Sequence, residues 1–230
     1  MLAAGEGVRM RPLTERAPKQ LQLLQGKPLI EYILERVPTE IDEFVIVIGY
    51  KGAMIKDYCK ERYLGRPVTY LEQPEKTGTY RALEMAHGFL KKGERFLMLY
   101  GDDLHGARGM RELLKHDRAL LVSEVENPRA YGVIEVDANM MITNIVEKPE
   151  NPKSNLISSG VMVLDTNVFL YPPTAPRNGE YFLPDAIAQM LPKYPVAAVR
   201  SSFWFPITTP EHLANAEAFL AIPENKEKLS

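Results

Sequence analysis

A short N-terminal stretch brings together the residue types that bind phosphate. In "LAAGEGVRMRPLTERAPKQ", Gly5 and Gly7 come directly after an apolar segment. Cationic side chains follow them, among them Arg9, Arg11 and Lys19. Glycines let the backbone approach a ligand closely, and backbone N–H groups flanked by positive charge bind anions. The spacing therefore predicts an anion site, and phosphate is its first candidate ligand.

Two widespread phosphate-binding motifs do not describe this loop. The dinucleotide fingerprint needs a third glycine where Met10 stands. The P-loop needs a Gly-Lys-Ser/Thr sequence, which the chain lacks. The loop is therefore expected to bind its phosphate in another way.

The composition limits the classes of protein to consider. The chain has 230 residues, 45% hydrophobic and 25% charged, which predicts one compact domain over 1–230. A net charge of -2 gives no general attraction to nucleic acid or to an anionic membrane, and we expect neither as a partner. Cys59 is the single cysteine, so no internal disulfide forms, and no apolar run approaches the roughly 20 residues of a membrane span. These features predict a cytoplasmic protein.

The first 103 residues alternate strand and helix patterns. Apolar runs predict strands at "MLAA", "EFVIVIGY", "PVTYLEQ" and "RFLMLYGDD". Helices are predicted over "PLIEYILERVP", over 52–63 and around 82–90. This alternation predicts a mostly parallel mixed central sheet covered on both faces, which binds ligands at the carboxyl ends of its strands. The loop after Ala4, together with Gln73 and the aspartates Asp102 and Asp103, falls at such ends.

The rest of the chain is richer in strand patterns. Short apolar runs predict strands at "ALLVSEV", "YGVIEVD", "MITNIVEKP" and "GVMVLD", with a short helix at about 107–116. A last helix is expected to begin with Thr209 as its N-cap and Pro210 in its first turn. The predicted fold class is therefore α/β, a Rossmann-like three-layer fold with a strand-rich second half.

The stretch "LAAGEGVRMRPLT" followed by "PK" resembles the signature of the sugar-1-phosphate nucleotidyltransferases, also called nucleotide-sugar pyrophosphorylases. The resemblance continues through "EQPEKTGT", "YGDD", "YGVIEVD", "VEKP", "SSG" and "TPEHL", and it favours a member like the glucose-1-phosphate thymidylyltransferases. It implies transfer of a nucleotidyl group from a nucleoside triphosphate to a sugar 1-phosphate, which releases pyrophosphate. It also implies a nucleotide-binding half at about 1–103 and a sugar-phosphate-binding half at about 104–230.

The resemblance further implies roles for individual residues. Arg9, Lys19 and Asp102 would be catalytic, with Asp102 holding Mg²⁺ and Asp103 as the second choice of ligand. The nucleotide would contact Leu2, Ala3, Ala4, Gly5, Gly7, Arg9, Gln73 and Gly78. The sugar phosphate would contact Gly132, Glu147, Lys148 and Gly160. The Gln73 amide suits the imide edge of uracil or thymine, which favours UTP or dTTP, although guanine could also be met this way.

The segment "WFPITTP" departs from the family pattern. Relatives commonly carry Trp-x-Asp-x-Gly-Thr there, whose aspartate is the second metal ligand, whereas this chain has Pro206 and Thr208 at the aspartate and glycine positions. Three functions stay open at this point. They are an active nucleotidyltransferase, a weak regulatory paralogue that keeps the nucleotide pocket, and an enzyme for another phosphorylated acceptor. A homo-oligomer is a further expectation.

Overall fold

The computed structural model describes residues 1–229. Its strands, in chain order, are β1 (Leu2–Ala3), β2 (Leu23–Leu24), β3 (Lys27–Pro28), β4 (Phe44–Ile48), β5 (Arg62–Tyr63), β6 (Arg66–Glu72), β7 (Arg95–Leu99), β8 (Asp103–His105), β9 (Ala119–Glu124), β10 (Gly132–Val136), β11 (Ile142–Glu147), β12 (Leu156–Asp165), β13 (Ala197–Arg200) and β14 (Trp204–Pro206). The α-helices are α1 (Leu29–Leu34), α2 (Gly52–Cys59), α3 (Thr79–Glu84), α4 (Ala107–Leu113), α5 (Leu183–Met190), α6 (Pro210–Ala221) and α7 (Pro223–Lys226). Short 3₁₀ helices lie at Val8–Met10, Leu13–Glu15, Lys19–Leu21, Met85–Phe89, Pro128–Ala130, Thr166–Leu170 and Glu227–Leu229.

The chain forms two compact units. Unit 1 contains Met1–Lys76, Tyr100–Met110 and Ser202–Ser230, and unit 2 contains Thr77–Leu99 and Arg111–Ser201. These bounds differ from a single cut near residue 103, because β7 pairs with β12 in unit 2 and β14 pairs with β8 in unit 1. The prediction of one nucleotidyltransferase domain over 1–230 stays a prediction.

Unit 1 is built on a four-stranded sheet in the order β1-β4-β6-β5. β1 and β6 both run parallel to β4, whose residues are almost all buried, as expected for a strand covered on both faces. The N-cap prediction for α6 is confirmed, because the Thr209 hydroxyl accepts the His212 backbone N–H at 3.2 Å.

The helix predicted over 52–63 was too long. α2 ends at Cys59, and Lys60 has a φ of 55°, which no helix accommodates. The next residues form β5, which pairs with β6 as a tight antiparallel hairpin. The apolar period alone did not reveal this reversal.

Unit 2 holds a sheet in the order β11-β10-β12-β9-β13, with β7 also paired to β12. The long strand β12 carries a bulge between Ser158 and Met162. Gly160 lies inside it with a φ of 90°, a conformation that favours glycine. The strand β13 and the helix α5 were not predicted from the sequence, and the helix predicted around 82–90 is α3 followed by a 3₁₀ turn. Within residues 1–229, none of the helices is long and apolar enough to cross a bilayer.

Candidate active site

The loop from Ala4 to Lys19, called here the signature loop, begins where β1 ends. Leu2 and Ala3 pair with Val47 and Ile48 of β4, which fixes the start of the loop at the carboxyl end of a parallel strand. Ala3 is buried, Ala4 is half-buried, and Gly5 is exposed. The predicted nucleotide contacts of the loop, Ala3 to Gly5, therefore lie at the carboxyl end of β1 in unit 1.

The two glycines of the loop have different reasons to be glycine. Gly7 has a φ of 62°, and a Cβ there would lie 2.9 Å from the Thr14 methyl carbon. The Thr14 hydroxyl also donates to the Gly7 carbonyl at 2.9 Å. A Cβ on Gly5 would meet no atom within 4 Å. Gly7 is therefore required by the fold, whereas nothing in unit 1 requires Gly5.

Tyr50 and Lys51, which follow β4, hold the loop that begins after β1 through hydrogen bonds. Neither residue was predicted from the sequence to do so. The Tyr50 hydroxyl donates to the Thr14 carbonyl at 3.1 Å, and the Lys51 ammonium donates to the Glu15 carbonyl at 2.8 Å. The Tyr50 backbone N–H also donates to the Ala4 carbonyl at 3.3 Å. Tyr50 and Lys51 directly follow the predicted strand "VIVIG". Their position after a strand parallel to β1 was the feature of the sequence that could have placed them at the same sheet edge as the loop.

The cations of the loop differ in their surroundings. Arg9 lies in the 3₁₀ turn Val8–Met10, is exposed, and has no ion-pair partner within residues 1–229. Arg11 lies 3.7 Å from the Glu6 carboxylate. Lys19 is buried, with 7% of its side chain exposed, and its ammonium contacts Asp102 at 3.0 Å. The structure thus brings Lys19 and Asp102 together and leaves Arg9 open to an anion.

The consecutive aspartates Asp102 and Asp103 have different environments. The Asp102 side chain is 38% exposed and faces Lys19. Asp103 is turned inward, where its two carboxylate oxygens accept the Trp204 indole N–H at 3.0 Å and the Ile207 backbone N–H at 3.2 Å. Burial, and then the negative charge of Asp102, raise the pKa of Asp103. The Asp102 carboxylate therefore faces a cation, whereas the Asp103 carboxylate is held by two N–H donors.

The residues of unit 1 fit a metal ion only if phosphate completes its coordination. Pro206 lies opposite Asp103 in the β8–β14 ladder and offers no ligand from its side chain. No group of three or more His, Cys, Asp or Glu side chains is placed to hold a metal anywhere in the described part of the chain. Mg²⁺ is commonly held by one or two carboxylates plus substrate phosphates, which is the donor set that Asp102 and a bound triphosphate would provide.

The predicted base-contacting residues Gln73 and Gly78 fall in different units. Gln73 follows β6 in unit 1, and its backbone N–H donates to the Ile48 carbonyl at 2.8 Å. Gly78, in unit 2, has a φ of 98°, and a Cβ there would lie 2.3 Å from the Tyr181 carbonyl oxygen. The glycine at position 78 thus has a structural cause, whatever it contacts.

The predicted sugar-phosphate residues of unit 2 centre on the pair formed by β10 and β11. Gly132 pairs with Glu147, and a Cβ on Gly132 would lie 3.2 Å from a Glu147 carboxylate oxygen. Glu147 is only 14% exposed and lies 3.5 Å from the Lys148 ammonium. Burial raises the pKa of Glu147, and the charge of Lys148 opposes that rise. Gly132 therefore makes room for a half-desolvated carboxylate beside a cation.

Arg177 is a neighbour of this pair that sequence reasoning missed. It donates to the Glu147 carbonyl at 2.9 Å and to both Asp185 carboxylate oxygens at 2.6 and 2.8 Å. Lys148 and Arg177 also both lie over the Phe182 ring, 5.3 and 5.2 Å from its centroid. The sequence "RNGE" contains an Asn-Gly pair, which is typical of a hairpin turn and could have predicted one here. Arg177 and Glu180 do pair across this turn.

Comparisons with known proteins agree on one family. The nucleotidyl transferase family model matches residues 1–222. The chain is 34% identical to the bifunctional protein GlmU of Methanocaldococcus jannaschii, with 96% of this chain and 53% of that protein covered, so it spans about half the length of that relative. It is 33% identical to the UTP–glucose-1-phosphate uridylyltransferase AglF of Haloferax volcanii, with 94% of this chain and 93% of AglF covered.

Solved structures share the fold. A putative glucose-1-phosphate thymidylyltransferase from Bacillus anthracis aligns with a TM-score of 0.83 at 23% identity, covering 94% of this chain and 92% of that one. A UDP-glucose pyrophosphorylase bound to UDP-glucose aligns with a TM-score of 0.81 at 22% identity, covering 96% of each chain. The predicted α/β Rossmann-like fold class is confirmed. Because the family model covers nearly the whole chain and AglF is matched over nearly its full length, the chain belongs to the nucleotidyl transferase family, and its resemblance to the sugar-1-phosphate nucleotidyltransferases is confirmed.

Proposed function

We propose that this protein transfers a nucleotidyl group from UTP or dTTP to a sugar 1-phosphate, giving a nucleoside diphosphate sugar and pyrophosphate. The observation that carries the proposal is the arrangement in unit 1. There, an open glycine loop with the unpaired Arg9 shares a sheet edge with the Lys19–Asp102 pair, whose atoms are 3.0 Å apart. A triphosphate needs several cations and backbone donors at once, and this edge supplies them.

The reaction requires positioning and charge neutralisation rather than covalent catalysis. An oxygen of the sugar phosphate attacks the α-phosphorus, and the bond from that phosphorus to the bridging oxygen of the β-phosphate breaks. Arg9 would neutralise the β- and γ-phosphates as they leave, because its guanidinium stays charged. Lys19 would hold its charge near the α-phosphate, and Asp102 would hold Mg²⁺, which supplies further charge neutralisation when bound.

The base proposal rests on Gln73 and on the names of relatives. An amide offers a donor and an acceptor to the imide edge that uracil and thymine share. AglF is named a uridylyltransferase, and the two solved structures are named for a thymidylyltransferase and for an enzyme of UDP-glucose. These names all concern pyrimidine nucleotides, which supports UTP or dTTP here.

For the acceptor, the charges of unit 2 support a sugar phosphate. Lys148 would neutralise the phosphate, with Arg177 as a second cation on the same aromatic ring. The half-buried Glu147, for which Gly132 makes room, would accept hydrogen bonds from sugar hydroxyls, and the ring would lie beside Gly132 and Gly160. The cytoplasmic location, the lack of nucleic-acid and membrane partners and the homo-oligomer stay predictions.

Pro206 favours one alternative function. Without the second aspartate, the chain could keep the nucleotide site as a weakly active regulatory protein. The deciding experiment is pyrophosphate release measured with each of five nucleoside triphosphates against glucose, galactose, mannose and N-acetylglucosamine 1-phosphates, phosphocholine and an inositol phosphate. Turnover with UTP or dTTP and a hexose 1-phosphate is expected.

Variants make that experiment specific to the proposed site. Asp102→Asn should lower turnover by about 100-fold or more, whereas the exposed control Asp42→Asn should leave it unchanged. Triphosphate binding without turnover for any pair would support the regulatory function. Turnover only with phosphocholine or an inositol phosphate would change the acceptor and keep the reaction type.

A further inference from the structure

Asp103 has surroundings that the proposed reaction does not explain. It directly follows the candidate metal ligand Asp102, and it is half-buried in unit 1. Burying a carboxylate is costly unless hydrogen bonds compensate, and a second carboxylate in the next residue adds to that cost. Such a group therefore needs a reason to be there.

The two hydrogen bonds of Asp103 bind the ends of one strand. Its Oδ2 accepts from the Nε1 of Trp204, the first residue of β14, and its Oδ1 accepts from the backbone N of Ile207, just beyond the last residue. Between them lies Pro206, which pairs with Asp103 and has no backbone N–H to donate. The side chain of Asp103 thus accepts hydrogen bonds from β14 and from Ile207 at the end of the ladder where Pro206 has no N–H to donate.

The inward direction of Asp103 is tied to the outward direction of Asp102. Asp103 is the first residue of β8, and a side chain that points into the interior leaves its neighbour on the opposite side. Asp102 is on that side, 38% exposed and 3.0 Å from Lys19. Each oxygen of Asp103 already accepts one hydrogen bond from the segment Trp204–Ile207.

We propose that Asp103 is a positioning residue for Asp102. Its clamp on Trp204 and Ile207 fixes the β8–β14 ladder, and the fixed ladder holds the Asp102 carboxylate toward Lys19 and the triphosphate. The inference rests on the proposed function, because it assigns Asp102 to the metal–triphosphate complex.

Trp204 offers a direct test of the clamp, because it is the one tryptophan of the chain. Its indole N–H therefore gives a single resonance in an ¹⁵N-labelled sample. Asp103→Asn leaves one carbonyl oxygen for two donors, so this resonance should move upfield as the bond to Trp204 weakens. Asp42→Asn removes an equal charge from an exposed site and should leave the resonance in place. An unmoved resonance in Asp103→Asn would overturn the clamp.

A double-mutant cycle tests whether Asp103 acts through Asp102. Asp103→Asn should lower Mg²⁺-dependent kcat/KM by about 10- to 100-fold, the range typical of a lost partner behind a metal ligand. Triphosphate affinity in EDTA should stay within about twofold. In an Asp102→Ala background, the further loss should also be within about twofold. An undiminished loss in that background would show that Asp103 acts independently, which overturns the proposal.

A second variant keeps the test valid if Asp103→Asn fails to fold. Trp204→Phe retains an aromatic ring but loses the five-membered ring that carries the N–H. It should lower kcat/KM by a smaller factor in wild-type Asp102 and have little effect in Asp102→Ala. An equal effect in both backgrounds would again overturn positioning. A wild type without turnover for any substrate pair overturns the proposed function itself, whereas an active wild type with additive variants overturns only this inference.

Discussion

In unit 1 the cations of the signature loop outnumber their acidic partners, whereas in unit 2 each cation of the sugar-phosphate region has one. Glu6 lies near Arg11 and Asp102 contacts Lys19, which leaves Arg9 unpaired. In unit 2, Lys148 lies beside Glu147 and Arg177 is held by Asp185. Under the proposed function, the unpaired Arg9 of unit 1 would favour the polyanionic triphosphate, and the paired cations of unit 2 would suit the sugar 1-phosphate.

The difference indicates how each region would discriminate between ligands. An excess of positive charge attracts any polyphosphate, so under the proposed function unit 1 would have to distinguish bases by hydrogen bonds at the sheet edge. A charge-balanced region gains little from net attraction, so unit 2 depends on the placement of the Glu147 carboxylate and of the ring space beside it.

The largest effect is expected at Arg9. Arg9→Ala should lower kcat by about 100- to 1000-fold, or about 3–4 kcal/mol, because its free guanidinium should stabilise the departing pyrophosphate more than the bound triphosphate. Steady-state kinetics and a triphosphate dissociation constant separate the two effects. Arg11→Ala is the matched control from the same loop, and Glu6 already shares its charge, so it should lose about tenfold or less. Equal losses would remove the distinction between paired and unpaired cations.

In unit 2 the expected effect falls on the acceptor. Lys148→Ala should raise the KM for the sugar 1-phosphate by about 30-fold, or about 2 kcal/mol, since it removes a charged partner of the phosphate. Triphosphate affinity should be nearly unchanged. Lys153→Ala removes an exposed charge from the same connection and should alter neither constant. Matching losses of affinity for both substrates would show that Lys148 does not belong to the sugar phosphate alone.

A buried histidine makes unit 1 sensitive to acid. His105 lies in β8, both its ring nitrogens lack hydrogen-bond partners within residues 1–229, and burial lowers its pKa from 6.5 to about 4, against the opposing effect of Asp102. The folded state thus disfavours the charged form. Its contribution to stability is complete above about pH 6.5 and is lost as the pH falls toward 4.

Urea unfolding at two pH values measures this contribution. As the pH falls from 7 to 5, the low pKa of His105 should reduce the free energy of unfolding by about 2 kcal/mol. His105→Leu should lack this pH dependence. The difference in the free energy of unfolding between the wild type and the variant should therefore change by about 2 kcal/mol between pH 7 and pH 5. An unchanged difference would mean that the histidine is solvated in the folded protein.

The sequence predicted those site features that depend on local residues. Gly7, with its left-handed backbone and its contact with Thr14, follows from a short loop pattern. The role of Asp103 does not, because it depends on pairing with β14, about a hundred residues away. Tyr50 was also missed, since only the parallel arrangement of β1 and β4 brings it to the loop. Arg177 needed the hairpin at Asn178 to be built before its contacts with Glu147 and Asp185 could be seen.

The glycines of unit 1 separate folding from ligand approach. Gly7→Ala should cost about 1–2 kcal/mol of stability, because a left-handed backbone and the contact with Thr14 both oppose a side chain. Gly5→Ala should leave the thermal unfolding temperature unchanged, because its Cβ meets nothing within 4 Å, and yet raise the KM for the triphosphate. A Gly5→Ala protein with normal kinetics would show that the nucleotide does not approach the loop there.

The smallest effect is expected at Pro206, and it concerns how few carboxylates unit 1 offers a metal ion. Pro206→Asp would add a third carboxylate beside Asp102 and Asp103, whose mutual repulsion should lower the unfolding temperature in EDTA. Mg²⁺ with triphosphate should reverse that loss, and the Mg²⁺ concentration for half-maximal turnover should fall by about threefold. Pro206→Asn also removes the proline, and its side chain has nearly the size of aspartate without the charge. Comparing the two variants therefore separates the effect of the carboxylate from the effect of losing proline. If Pro206→Asn lowers the Mg²⁺ requirement equally, the backbone and not the charge is responsible. If neither variant changes it, Asp102 alone satisfies the metal–triphosphate complex, and a second aspartate at position 206 is not needed because the triphosphate supplies the remaining negative charge.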